Sequence, residues 1–202
     1  LLREDIVEDM AGGPDGHIVD EVARNFTGEG FEKLTSEIVR SRTAFGETKT
    51  FEQIATFLDL PSDMTRSKLR KLVFLGNEAQ TLESLIFALK SGSTNDQKAA
   101  VKLAEITEPS IEHLPLLESI FLTGKGAKEP FTAKLGGFPT KKVQAAFEDL
   151  MPAVESLMLR IEDARQHRLG LEAAHRAMAL HAFAYAFLKR YENRKQALGW
   201  LD

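Results

Sequence analysis

Cysteine is absent from all 202 residues, which excludes disulfides, thiolate zinc sites and a cysteine nucleophile together. Apolar runs long enough for a membrane helix are also missing. The most apolar window, Ala177 to Leu188, is about 12 residues long and contains His181, against the ~18 to 20 that a bilayer requires. No stretch alternates apolar and polar residues long enough to make a strand. The amino-terminal residues, Leu1-Leu2-Arg3-Glu4-Asp5, carry neither a basic segment nor a small-residue cleavage site, so the expected compartment is the cytoplasm. The last residues, Lys195 to Asp202, stop on an apolar stretch without a polar tail, as expected of a segment cut from a longer polypeptide.

What is present is helical periodicity. Apolar residues recur at steps of three and four in Gly16 to Phe26, Gly30 to Arg42, Thr50 to Leu58, Thr65 to Leu75, Glu78 to Lys90, Asn95 to Ile106 and Ser110 to Leu122. Breaks fall at Gly12-Gly13-Pro14-Asp15-Gly16, Gly28-Glu29-Gly30, Pro61-Ser62-Asp63, Ser91-Gly92-Ser93 and Glu108-Pro109. Ser93 or Thr94 is suited to cap the helix that follows it. After one long Gly- and Lys-rich loop, Thr123 to Thr140, a nearly continuous helix is expected from Lys141 to about Leu198. It should have a boundary or kink at Pro152 and a second break near Gly170. The expected fold is an all-α multi-helix bundle with long C-terminal helices. It would form one domain over 1–202, with sub-lobes at 1–92 and 93–202. In the last helix Leu171, Ala174, Met178, Ala182, Tyr185 and Leu188 form one apolar stripe, and Leu180, Phe183, Ala184, Phe187 and Tyr191 another. Such a helix lies between layers or docks against a partner.

A formal net charge of −4 conceals an asymmetry. Residues 1–60 hold 13 acidic and 6 basic side chains, whereas 123–142 hold 5 basic and 1 acidic, and 160–195 hold 8 basic and 4 acidic. An acidic amino-terminal part and a basic carboxy-terminal half can orient a polyanion on one face. Motifs for chemistry are lacking. A phosphate-binding loop needs Gly, four residues, then Gly-Lys-Ser/Thr; the nearest match, Gly124-Lys125-Gly126, has neither the first Gly nor the hydroxyl. His167, His175 and His181 are spaced by eight and six, so no two stand one helical turn apart. They are expected to be surface or satisfied core histidines, with no metal bound. Glu4, Asp5, Glu8 and Asp9 fit the solvated face of a helix rather than a general acid/base pair.

Two basic clusters remain as candidate phosphate contacts. Arg66, Lys68, Arg70 and Lys71 lie on a short helix whose apolar side is Leu69, Leu72 and Val73. Lys125, Lys128 and Lys134 stand among loop glycines, with Lys141 and Lys142 opening the next helix, in the manner of a cationic tether for backbone phosphates. Thr123, Thr132 and Thr140 could add hydroxyl contacts. Phe131 or Phe138 could stack on a base or simply anchor the loop. With no recognition-helix pattern of Arg, Asn and Gln, binding would be indifferent to sequence.

Two stretches resemble a known family. Tyr191-Glu192-Asn193-Arg194-Lys195 with Leu201-Asp202 resembles the Tyr-Glu-x-x-Lys…Leu-Asp stretch that precedes Walker B in UvrD/Rep-like superfamily 1 DNA helicases. Phe121-Leu122-Thr123 with Thr140-Lys141-Lys142 resembles a segment of the AddA-type helicase–nuclease subunits, relatives of RecB. The acidic start and Gly30-Phe31-Glu32-Lys33-Leu34 are similar to the beginning of the same insert. The resemblance implies a helical 1B-type insert from a double-strand-break repair enzyme, one that contacts DNA while ATP and Mg act elsewhere in the parent chain. The segment itself would need no cofactor and would perform no catalysis. Its partners would be DNA, the remaining helicase domains and an AddB-like subunit, with no membrane. The competing expectation is a protein-interaction or architectural module that docks through Phe183, Phe187 and Trp200.

Overall fold

Among the described residues three helices start on the side chain of a serine or threonine that caps them. The computed structural model describes residues 2–26 and 30–199. Among these it shows an all-α bundle of ten α-helices: α1 (Leu2–Ala11), α2 (Gly16–Asn25), α3 (Phe31–Arg40), α4 (Phe51–Phe57), α5 (Arg66–Val73), α6 (Glu78–Leu89), α7 (Thr94–Leu103), α8 (Leu114–Phe121), α9 (Lys141–Ala146) and α10 (Met151–Ala197). No strand occurs among the described residues; an isolated antiparallel bridge joins Leu122 to Ala133. The expected break at 28–29 and the terminal Trp200-Leu201-Asp202 lie outside the described residues.

Capping follows the sequence closely. Ser93 caps α7 in a reciprocal box with Asp96, and Thr50 does the same for α4 with Gln53. Thr65 caps α5 by accepting from the Lys68 N–H at 3.1 Å. The boundary expected at Pro152 is present: the run from Lys141 is divided into α9, a 3-10 turn at Glu148–Leu150, and α10, with Pro152 in the first turn of α10, where its missing N–H has no intrahelical role. The second expected break is corrected: α10 does not break at Gly170. A Cβ there would come within 3.1 Å of Leu60 Cδ1, so the glycine serves the close approach of Leu60 to an unbroken helix.

The chain divides into two compact units. One comprises Leu1–Ser62 with Gly170–Asp202, and the other Asp63–Leu169. The turn at Ser91-Gly92-Ser93 falls within the second. In the first unit, Ile6 and Met10 of α1, Val19 and Val22 of α2, and Ile38 of α3 bury against Phe183, Ala184 and Phe187 of α10. Phe183 packs against Phe31 at 5.6 Å and against Phe187 at 5.9 Å between ring centroids. Burying side chains of this size contributes about 1.5–3 kcal/mol each. In the second unit α6 and α7 form an antiparallel pair, with Leu85, Leu89 and Leu103 buried. Leu69 and Val73 of α5, Leu117 and Phe121 of α8, and Val154, Leu157 and Ile161 of α10 are buried as well.

Candidate phosphate-contacting surface

Both basic clusters belong to the second unit, and the segment 123–142 is fixed by its own polar groups. The bridge between Leu122 and Ala133 is extended by the Thr123 N–H donating to Thr132 O at 2.8 Å and the Lys134 N–H donating to Phe121 O at 3.0 Å. The Thr123 hydroxyl donates to Glu129 O at 2.6 Å and accepts from the Thr132 N–H at 3.1 Å. The Ala133 N–H donates to Glu162 Oε2 of α10 at 2.8 Å. At the far end, the Thr140 hydroxyl and N–H both donate to the buried Asp96 carboxylate, at 2.7 and 3.2 Å. Burial pushes the Asp96 carboxyl up, but the bonds from Thr140 and Ser93 outweigh it and hold the group below the usual aspartate range. The segment is thus pinned at both ends, and its threonine hydroxyls are engaged internally.

Pinning separates the lysines into two kinds. Lys125, Lys128, Lys141 and Lys142 are exposed, and their side chains have no hydrogen-bond or ion-pair partner among the described residues. Lys141 and Lys142 occupy the first two positions of α9, where positive charge opposes the helix dipole, so their charge contributes nothing to that helix. Lys134 differs. Its ammonium donates to Ile120 O at 2.6 Å, and burial, followed by repulsion from Lys102, lowers its pKa. Phe131 and Phe138 both act as anchors: the Arg165 guanidinium lies 3.7 Å over the Phe131 ring, and Phe138 packs on Phe121 at 5.9 Å.

The α5 cluster is split in a similar way. Arg66 pairs with Glu112 and Lys68 with Asp63, all four side chains at least half exposed. Hydrogen bonding by Lys68, with its charge, holds the Asp63 carboxyl below its ordinary range. The exposed Arg70 and Lys71 side chains have no such partner among the described residues. Of the apolar side, Leu69 and Val73 are buried, whereas Leu72 is exposed.

Sequence reasoning did not find the buried ionic framework behind these clusters. Glu78 accepts from the N–H groups of Leu75 and Gly76 and from Arg160, the last at 2.8 Å. Burial raises its pKa, yet the backbone donors and Arg160 bring it below the glutamate range. Glu118 is gripped by Arg168 through two bonds of 2.6 and 2.8 Å, with Arg165 Nε 3.5 Å away. Arg160 and Arg168 stand 82 and 50 residues from the carboxylates they bind, and no local spacing reveals them.

The histidines hold one surprise. His181 was expected to be a surface or a satisfied core histidine, but its Nδ1 is buried without a hydrogen-bond partner, and its ring packs on Phe45 at 5.2 Å. Burial, then the nearby Lys49 charge, lowers its pKa and favours the neutral ring. Among the described residues no group of His, Asp or Glu is arranged to hold a metal ion. Phe183 and Phe187, expected on a docking surface, are fully buried in the first unit's core. No helix among the described residues is long and apolar enough to cross a membrane. Comparison of the chain with protein-family models, curated proteins and solved structures finds no match.

Proposed function

We propose that this chain is a helical DNA-contacting module that holds a strand by its phosphates, without reading base sequence and without catalysis of its own. The observation that carries this reading is the set of four unpartnered lysines, 125, 128, 141 and 142, on a segment whose other polar groups are engaged internally. A cation already paired inside the protein offers a phosphate little; an unpaired one on a fixed scaffold can neutralise it and release counterions. Together with the resemblance of 120–142 and 187–202 described above, this supports a role as the 1B-type insert of a UvrD/Rep-like, AddA-type repair helicase. ATP and Mg would then act in other segments of the parent, and an AddB-like subunit would be a further partner.

The test is fluorescence anisotropy with two labelled duplexes of unlike sequence. Equal affinity for both is expected, with about a hundredfold loss when Lys125, Lys128, Lys141 and Lys142 are changed together to Gln. Undiminished binding by that variant would refute the reading. A second reading, docking of a protein, is favoured by Phe87, which is 69% exposed although its ring meets Phe147 at 6.2 Å. On that view Phe87→Asp would abolish an association while leaving DNA binding intact.

A further inference from the structure

Beneath the pinned segment is a cavity of about 470 Å³ whose lining includes Glu118, Thr123, Phe131, Lys134 and Arg165. Its size falls in the range of small-ligand pockets. Arg168 occupies both Glu118 oxygens, at 2.6 and 2.8 Å, which leaves that carboxylate a poor acceptor for its neighbour Arg165. Arg165 is incompletely engaged. Its Nε is buried and has no hydrogen-bond partner, because the Glu118 Oε2 at 3.5 Å attracts it only through charge. A buried donor left in that state is costly unless something accepts from it. The Lys134 ammonium uses one of its three protons on Ile120 O, leaving two. Phe131, which carries the Arg165 guanidinium on its face, has φ +61°, a left-handed conformation uncommon for a bulky residue and typical of places where a side chain is held for a purpose.

We propose that this cavity seats one phosphodiester group of a bound strand, accepting hydrogen bonds from Arg165 Nε–H and the Lys134 ammonium. An anion seated there offsets the burial and the Lys102 repulsion that disfavour the charged form of Lys134. The inference rests on the reading of the chain as a phosphate-contacting module and adds an anchoring point behind the exposed lysines.

The experiment follows the arginine Nε–Hε resonances of the 15N-labelled 202-residue chain, with the Arg165 signal assigned by its loss in Arg165→Lys. The probes are a ten-residue oligothymidylate, dimethyl phosphate and inorganic phosphate. The expected result is a saturable downfield movement of the Arg165 signal with the oligonucleotide and with dimethyl phosphate. Arg165→Lys, which keeps the charge and loses Nε–H, should weaken oligonucleotide binding about tenfold. Movement with inorganic phosphate alone would overturn the proposal in favour of a free-anion site. A bound oligonucleotide that leaves the signal unmoved would overturn the cavity's role while sparing the module reading; absence of oligonucleotide binding would overturn the cavity's role, and absence of binding to the labelled duplexes as well would overturn both.

Discussion

The cations of α5 and those of segment 123–142 look alike in the sequence and differ in the structure. On α5, two of the four cations, Arg66 and Lys68, are paired with Glu112 and Asp63 while Arg70 and Lys71 are not, whereas four of the five lysines between 123 and 142 have no partner among the described residues. Positive charge in a sequence is therefore not the same as charge available to a ligand. What distinguishes the two regions is where the acids lie: the segment is tied down by the carboxylates of Asp96 and Glu162 through neutral donors, not through its lysines. Its scaffold and its charge are therefore separable by mutation.

The largest effect expected from that separation concerns a cation that is wholly structural. Arg160→Ala leaves the buried Glu78 without its charged partner and the Val73 carbonyl without its donor. It should destabilise the second unit by about 3 kcal/mol, read as a lowered urea midpoint. A stability change near zero would mean that the ionic framework is dispensable.

Next comes the tether itself. Asp96→Ala removes the acceptor for Thr140 and Ser93 and should cost about 2 kcal/mol. The same carboxyl sets a pH dependence. Its folded pKa lies below the unfolded one, so its contribution is complete above the ordinary aspartate range and is lost as pH falls through the folded value; Glu78 acts in the same sense. Urea unfolding repeated from pH 7 down to about 3 should show stability falling below about pH 4, with a shallower fall in the Asp96→Ala variant.

The smallest effect belongs to the exposed pairs. Arg66→Ala should change stability by less than about 1 kcal/mol, since an ion pair between half-exposed side chains is screened by water and salt. A larger loss in the same urea measurement would show that the α5 pairs carry part of the fold.

Much of the fold was legible because its determinants are local. The Ser93 cap, the breaks at Pro61 to Asp63 and at Ser91 to Ser93, and the three- and four-residue steps of α2 to α8 lie within a few residues of the helices they specify. Gly170 misled because its role depends on Leu60, 110 positions away in the chain. Phe183 and Phe187 left two readings open, burial between layers or docking, because an apolar stripe on a terminal helix does not state what covers it; here α1 to α3 do. For the candidate surface, the exposed lysines could be nominated from sequence. That Lys134 is engaged with Ile120, that Thr123 and Thr140 are committed internally, and that Arg165 has a bare Nε all depend on tertiary contacts.

The most direct test of the central claim is the slope of log affinity for duplex DNA against log salt. It should be measured for the unaltered chain, for the Lys125, Lys128, Lys141 and Lys142 to Gln variant, and for Arg66→Ala with Lys68→Ala. The four-lysine variant is expected to lose roughly 3 to 4 from the slope, since each phosphate neutralised on B-DNA contributes about 0.9, and the α5 variant is expected to match the unaltered chain. Equal slopes for all three proteins, or a loss confined to the α5 variant, would contradict that claim.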